Sequence, residues 1–235
     1  MLRSGFSQAA LKLWAAGFMV IDHIGAVLIE GGLLKTGGEP FLRQPLWQLN
    51  LILRSVGRLA FPIFAFCLVE GFCHTHHRKA YSLRLLLFAL LSEVIFDLAV
   101  FDTWYYPQYQ NIYLTLLLAY MTMWGMERFR ETNWLSIVIA SAGCAAAYFL
   151  RADYGPYGVL LILLLYRLRG RRLRLWAGAA FAMVESLYAG LAFILLAFYN
   201  KERGCWPGKY FFYLFYPAHL LCLYWIRVLV ISPVP

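Results

Sequence analysis

Apolar residues occur along this chain in eight runs separated by short polar links. The runs cover residues 11–30, 56–73, 81–100, 112–126, 134–150, 157–168, 173–198 and 210–231. Because a helix that crosses a bilayer needs about 20 predominantly apolar residues, the pattern predicts an all-α, polytopic membrane helix bundle of about eight transmembrane helices. We expect a single domain over residues 1–235.

Two of the runs leave alternatives open. The second could begin at Pro45, with the segment as far as Leu53 lying along the outer membrane surface as a short amphipathic helix. The sixth run is short and could be a re-entrant segment.

The composition agrees with a membrane protein. Hydrophobic residues make up 62% of the 235 positions, charged residues make up 14%, and the mean hydropathy is +0.64. These values exclude a water-soluble globule. No polar stretch approaches the roughly 50 residues that an extramembrane domain needs for its own core, so any chemistry takes place inside the bundle or at its rims.

The charge is strongly basic, with 21 Lys and Arg against 12 Asp and Glu. In a multispanning protein such an excess fixes the orientation and favours contact with anionic lipids, so nucleic acid is not an expected partner. With the N-terminus inside, thirteen basic residues fall on the inner side: Arg3, Lys12, Arg78, Lys79, Arg84, Arg128, Arg130, Arg167, Arg169, Arg171, Arg172, Arg174 and Arg227. Six fall on the outer side: Lys35, Arg43, Arg151, Lys201, Arg203 and Lys209. This asymmetry predicts that both termini are cytoplasmic.

Several ionisable residues fall at membrane depth, where a charge costs at least about 2.5–3.5 kcal/mol. The eight-span topology places six of them at the middle or outer half of the bilayer: Asp22, His23, Arg58, Glu93, Asp97 and His219. Their common depth suggests one polar cavity. Glu185 is central in the seventh run.

Two pairs of charged residues share a helix face. Glu93 and Asp97 are four residues apart, as are Arg54 and Arg58. If the carboxylates faced the guanidiniums, the four residues could be ties that fix the bundle. They could equally belong to a functional site.

Histidine suits proton transfer near neutral pH. His23 is a candidate general base, or alternatively a hydrogen-bonded structural group. Asp22 is its neighbour in sequence and points about 100° away on a helix, so the partners of both must come from other helices. His219 is a second candidate for direct chemistry.

A cluster of cysteine and histidine occupies residues 73–77. Its spacing is too compressed for a standard zinc site, so no metal is expected. Together with the basic residues that follow, it could hold phosphate groups at the inner mouth of the second span. The five arginines within 167–174 are mainly an orientation signal, with contact to an anionic cofactor as an alternative.

Motifs along the whole chain are similar to those of one family. They are Asp22-His23-Ile24-Gly25, Arg54-x-x-Gly57-Arg58 with the following Leu59 to Phe66, Glu70-Gly71-Phe72-x-His74-Thr75, Ser92-Glu93 with Phe96-Asp97, Asn111-x-x-x-Thr115-Leu116, Asp153-Tyr154-Gly155, and Lys209-Tyr210 through Tyr216-Pro217-x-His219-Leu220. In this order they resemble the TraX family of bacterial integral membrane proteins.

The resemblance implies a multi-pass protein of the bacterial cytoplasmic (inner) membrane. The family is named for an enzyme that acetylates the amino terminus of conjugative F pilin with acetyl-CoA. The implied activity is an acetyl-CoA-dependent acyltransferase that moves an acetyl or short acyl group to an acceptor peptide or small molecule at the outer half of the membrane. An ion-coupled transporter and a noncatalytic scaffold of a secretion or conjugation complex remain alternatives.

Acyl transfer needs a base for the nucleophile and a donor for the developing oxyanion. The candidate catalytic residues are His23, Asp22, Arg58, His219 and Glu93. His23 would deprotonate the acceptor, with His219 as the alternate base. Arg58 would stabilise the oxyanion or neutralise Asp22, and Tyr213 or Tyr216 could donate a hydrogen bond. The candidate CoA-phosphate ligands are His74, His76, Arg78, Lys79 and Arg84.

Overall fold

The computed structural model describes residues 5–35, 40–205, 208 and 210–231, and within these residues the chain is a bundle of helices. The α-helices are α1 (Gln8–His23), α2 (Pro40–Gly57), α3 (Ala60–His74), α4 (Arg78–Phe101), α5 (Ile112–Arg128), α6 (Asn133–Phe149), α7 (Gly155–Arg167), α8 (Leu173–Glu185), α9 (Leu187–Ala197) and α10 (Phe211–Ile226). Two π-helical segments, Ile24–Leu33 and Arg227–Ile231, continue α1 and α10. Arg3 and Lys209, which contributed to the charge count, lie outside the described residues.

Among the described residues, three helical stretches are long and apolar enough to cross a membrane: Gln8–Leu33, Phe41–His74 and Phe211–Ile231. Of the shorter apolar helices, Gly155–Arg167 packs against α3, and Asn133–Phe149 packs against α5 and α7. The predicted all-α membrane bundle is confirmed.

The α2 helix packs along α1 and its π-helical continuation. Its Arg54 binds Asp22 of α1, and its Asn50 amide is 3.5 Å from a carboxylate oxygen of Glu30. These polar partners hold α2 against the bundle, and α2 and α3 together form the apolar helical stretch Phe41–His74, which bends at residues 58–59. An interfacial position of the segment from Pro45 to Leu53 stays a prediction.

The predicted seventh span over 173–198 is also wrong, because α8 and α9 form an antiparallel hairpin. The chain reverses at Ser186, whose backbone is extended with φ −156° and ψ 134°. A Cβ on Gly178 would overlap the ring of Phe193, and one on Gly190 would lie 2.6 Å from Met183, so glycines permit the close approach. The hairpin returns the chain to α1, where the amide of Phe6 donates to the carbonyl of Phe198 at 2.8 Å.

A hairpin in place of a crossing changes the topology. Near the start of both helices, the Lys12 ammonium lies 5.6 Å from the centre of the Phe212 ring. Further along, His23 of α1 contacts His219 of α10. The two helices are therefore parallel, and the first and last described residues lie at opposite ends of the bundle. For the described residues, this arrangement differs from the eight-span topology, in which α1 begins and α10 ends on the same side.

We call the end of the bundle at which α1 begins the basic face, and the other end the far face. Among the described residues, thirteen Lys and Arg side chains belong to segments at the basic face: Lys12, Arg78, Lys79, Arg84, Arg128, Arg130, Arg167, Arg169, Arg171, Arg172, Arg174, Lys201 and Arg203. Four belong to the far face: Lys35, Arg43, Arg151 and Arg227. Because of the hairpin, Lys201 and Arg203 lie at the basic face. The two faces therefore differ more in their number of basic residues than in the eight-span topology.

The α7 helix is too short to cross the bilayer. Its 13 residues span about 20 Å, against a hydrocarbon thickness of about 30 Å. The link between α6 and α7 and the tip of the hairpin lie at the same level, since the Tyr157 hydroxyl is 3.3 Å from the Ala182 carbonyl. These two segments therefore border the same region of the bundle.

Candidate functional site

A cavity of about 100 Å³ lies between α1, α3, α5, α10 and the link from α6 to α7, beside Gly57 at the end of α2. Its polar side chains are Asp22, His23, Tyr113, Asp153, Tyr154 and Tyr216. Its apolar side chains are Met19, Ala60, Phe61, Phe64, Ile112, Leu116 and Phe212.

Two histidines from opposite ends of the sequence meet at this cavity. Nδ1 of His23 lies 2.6 Å from Nε2 of His219, and Nδ1 of His219 lies 2.7 Å from the carbonyl oxygen of Phe215. A carbonyl can only accept, so Nδ1 of His219 carries its proton and Nε2 is the acceptor in the neutral ring. His23 therefore donates from Nδ1 and keeps a lone pair on Nε2, which is the arrangement that a general base requires.

A proline shapes the helix that carries His219. Pro217 lies inside α10 and has no amide proton, so the carbonyl of Tyr213 loses its usual helical donor. The hydroxyl of Tyr113 on α5 donates to this carbonyl at 3.1 Å and to that of Phe212 at 3.2 Å. The pairing ties α5 to α10 nearly two turns before His219.

Arg54 is the direct partner of Asp22, and their oxygen and nitrogen atoms form a short ion pair. The sequence suggested Arg58 for this role. Gly57 explains why Asp22 pairs with Arg54. Gly57 lies directly beside Asp22, where there is no room for a side chain, so α2 comes close enough to α1 for Arg54 to reach the carboxylate.

Arg58 instead contacts Glu185 at the tip of the α8–α9 hairpin, with nitrogen and oxygen 3.1 Å apart. Neither side chain lines the cavity. Because Arg58 also interacts with Tyr154 and Asp22, it connects the hairpin tip to the cavity wall.

Glu93 and Asp97 do not face the two arginines. Glu93 accepts hydrogen bonds from the side chain and the backbone amide of Asn111, and Asp97 accepts from the amide of Tyr106 at 2.8 Å. Asn111 caps α5, so Glu93 positions the helix that carries Tyr113 and is not at the cavity itself. Both carboxylates therefore tie parts of the bundle together, but their partners are backbone amides and the Asn111 side chain, not arginines.

Asp153 is a cavity residue to which sequence reasoning gave no role. It lies in the link between α6 and α7, where the Tyr109 hydroxyl donates to it at 2.5 Å. The next residue, Tyr154, has a left-handed φ of 60°, which is costly for a bulky side chain and typical of functional sites. The sequence feature that could have indicated this residue is its position, because Asp153 is an acidic residue between two apolar runs.

The five candidate phosphate ligands lie at the basic face but not in one group. His76, Arg78 and Lys79 line a second, open cavity of about 430 Å³ with His77, Ala80 and Trp124. His74 lies outside it and hydrogen-bonds the carbonyl of Glu70 at 2.7 Å. Arg84 stacks 5.4 Å from the Tyr81 ring further along α4.

The comparisons with known proteins agree with this architecture. Residues 7–227 match the family model described as TraX protein. This chain belongs to the TraX family. The probable fimbrial assembly protein FimC, serogroup H1, of Dichelobacter nodosus is 30% identical over 247 aligned positions, which cover 93% of this chain and 94% of the relative. No solved structure matches.

In this TraX protein, Gly57 provides a direct test of the site's packing. We expect Gly57→Ala to destabilise the fold by about 1–3 kcal/mol, because the added methyl group overlaps Asp22 and pushes α2 away. The matched control is Gly17→Ala in α1, where nothing lies within 4 Å and helix propensity should raise stability by up to about 1 kcal/mol. Thermal melting in detergent measures both, and equal melting temperatures would contradict the packing.

Proposed function

We propose that this TraX protein is a membrane acyltransferase that uses acetyl-CoA, or a short acyl-CoA, as donor. The observation that carries the proposal is the His23–His219 pair, which leaves Nε2 of His23 as an oriented base at a cavity inside the bundle. Of the other catalytic candidates, Asp22 lines that cavity and Arg58 and Glu93 do not.

The pair can perform the proton transfers that acyl transfer requires. Nε2 of His23 accepts the proton of the acceptor amine as the amine nitrogen attacks the thioester carbonyl. The carbon–nitrogen bond forms, the carbon–sulfur bond breaks, and the His23 imidazolium returns the proton to the leaving thiolate. His219 keeps His23 in the required tautomer throughout. Tyr154 and Tyr216 line the same cavity and can donate to the developing oxyanion.

The size of the cavity favours a short acyl group. Its volume of about 100 Å³ is below the 150 Å³ or so of a cavity that binds benzene. An acetyl group fits this space beside the apolar wall.

The charge of the basic face favours a cytoplasmic donor. The positive-inside rule places this face in the cytoplasm of a bacterial inner membrane, with the N-terminal end of α1. The second cavity, with His76, Arg78 and Lys79, offers charge-assisted contacts to phosphate groups. Arg78 is also tied to Glu127 at 2.9 Å, so Lys79 and His76 are the less constrained ligands.

The acceptor would reach the cavity from the far face, on the opposite side from the donor. The relative named as a fimbrial assembly protein suggests a pilus protein as the acceptor, with its amino terminus as the nucleophile. The alternative of a scaffold within a pilus assembly complex has the same relative in its favour but requires no donor binding.

Sidedness tests the proposal. In proteoliposomes of known orientation, radiolabelled acetyl-CoA should support transfer to an added peptide amine only when it is supplied at the basic face. Replacing His76 and Lys79 with glutamine should raise the KM for acetyl-CoA by about tenfold with little change in kcat, because phosphate contacts are similar in the ground and transition states. Arg128→Gln, at an exposed position on the same face, is the charge-matched control, because it removes one formal charge and histidine counts as neutral at pH 7. A protein that neither binds nor turns over acetyl-CoA would support the scaffold instead.

A further inference from the structure

Asp153 is the carboxylate of the cavity that has no ion-pair partner in the described part of the chain. Asp22, the other carboxylate of the cavity, is paired with Arg54. Arg58 attracts Asp153 from a greater distance and is itself bound to Glu185. A carboxylate in a mostly apolar wall is stabilised by a positive partner. A cationic ligand in the cavity would supply that partner.

The link between α6 and α7 holds this carboxylate in a fixed position. The amide of Asp153 donates to the carbonyl of Gln110 at 2.9 Å, and the Thr115 hydroxyl donates to the carbonyl of Asp153. The Tyr109 hydroxyl donates to the carboxylate itself at 2.5 Å. Because backbone and side chain are both held, little freedom is lost when a ligand binds, which favours selective binding.

Asp153 lies between the cavity and the far face. On the cavity side, its carboxylate interacts electrostatically with Asp22 and with the hydroxyls of Tyr154 and Tyr216. On the other side, its partner Tyr109 is 39% exposed in the segment between α4 and α5. Asp153 is therefore within reach of a ligand that enters from the far face.

The rest of the cavity wall suits a cation. Among the described residues, no lysine or arginine lines the cavity, and the lining phenyl and phenol rings are those of Phe61, Phe64, Tyr113, Tyr154, Phe212 and Tyr216. The faces of such rings attract an ammonium group, and a carboxylate accepts its hydrogen atoms in charge-assisted hydrogen bonds. The wall therefore favours a primary ammonium group over a neutral hydroxyl group.

We propose that Asp153 binds the ammonium group of the acceptor and positions its nitrogen atom beside Nε2 of His23. The inference rests on the proposed acyl transfer, because it assigns the anchor of the acceptor in that reaction. Tyr109 is a positioning residue, since it contacts the carboxylate and not the acceptor.

An ammonium group that becomes an amide loses two protons, and the site has an acceptor for each. Asp153 takes the first proton, which leaves a neutral acid and an amine with a free electron pair. Nε2 of His23 takes the second as the carbon–nitrogen bond forms, and returns it to the sulfur atom when the carbon–sulfur bond breaks. The proton on Asp153 then passes to water at the far face, so one proton is released for each acetyl group transferred.

Peptide binding to the full chain in detergent tests the anchor without acetyl-CoA. Calorimetry compares triglycine amide, which has a free ammonium group, with N-acetyl-triglycine amide, which has none. The wild type should bind the free amine at least about tenfold more tightly, the effect of one hydrogen bond between charged groups. Asp153→Asn should remove this preference by weakening only the first peptide. The control is Glu30→Gln, which removes an exposed carboxylate that does not line the cavity and should keep the preference.

Equal binding of the two peptides by the wild type, or a preference that survives in Asp153→Asn, would overturn the assignment. If Asp153→Asn fails to fold, carbodiimide labelling of the wild type decides the outcome. Glycine betaine amide, a fixed cation, should protect Asp153 from modification, and equal protection by its uncharged isostere, in which carbon replaces the nitrogen, would overturn the assignment. A protein that prefers the free amine but transfers no acetyl group would refute acyl transfer and leave Asp153 as an ammonium site.

Discussion

Replacing His23 with alanine is expected to lower the rate of acyl transfer by about 10²–10⁴-fold, the usual contribution of a general base. The change removes the Nε2 lone pair at the cavity but no group at the basic face, so acetyl-CoA binding and the melting temperature should change little. Single-turnover transfer in proteoliposomes measures the effect. A variant that retains more than about a tenth of the wild-type rate would exclude general base catalysis by His23.

A second experiment replaces His219, the hydrogen-bond partner of His23. His219→Ala should also slow transfer, because His23 loses the acceptor that orients it. The double variant should be no slower than the slower single variant, since residues that act as a unit are not additive. Cys222→Ala, at an exposed position on the same helix, is the control and should retain full activity. Multiplicative losses in the double variant would show that the two histidines act independently.

Removing Arg54 is expected to destabilise the protein by about 3 kcal/mol, because Asp22 then remains inside the bundle without its partner. Arg54→Gln combined with Asp22→Asn should cost less than the sum of the two single changes, with a coupling of about 1–3 kcal/mol. Thermal or denaturant unfolding in detergent gives the four values that the cycle requires.

Arg58 provides the matched comparison, since it is the partner that the sequence alone suggested for Asp22. The structure predicts weak coupling between Arg58→Gln and Asp22→Asn, and stronger coupling between Arg58→Gln and Glu185→Gln, whose charged atoms are 3.1 Å apart. Coupling of Asp22 to Arg58 that exceeds its coupling to Arg54 would contradict the packing of α2 against α1.

The helices were largely predictable from the sequence, and the exceptions have a physical cause. The fourth apolar run, 112–126, corresponds to α5 (Ile112–Arg128), and the fifth, 134–150, to α6 (Asn133–Phe149). Length and apolarity are local properties, so each run reports its own helix. The seventh run is long enough to cross the membrane and still folds back, because Gly178 and Gly190 allow its two halves to pack together. That outcome depends on a contact between the halves, which apolarity does not encode.

The candidate site divides in the same way. Membrane depth is sufficient to select Asp22, His23 and His219, because ionisable groups are costly in hydrocarbon wherever they occur. Membrane depth alone does not show which side chains contact each other. A prediction from depth puts Glu93 in the site and pairs Arg58 with Asp22, and both differ from the structure.

By itself, the sequence determined that this protein is a helical membrane bundle of the TraX family with a small set of charged residues inside it, since hydrophobic length and the cost of buried charge are read residue by residue. Three features appear only in the tertiary structure. His23 contacts His219, which is 196 positions away in the sequence, and Arg54 pairs with Asp22. The third is that α1 and α10 run parallel. Such pairings depend on how close two helices come, and that distance is set by glycines, a proline and a hairpin whose effects appear only when the helices are packed together.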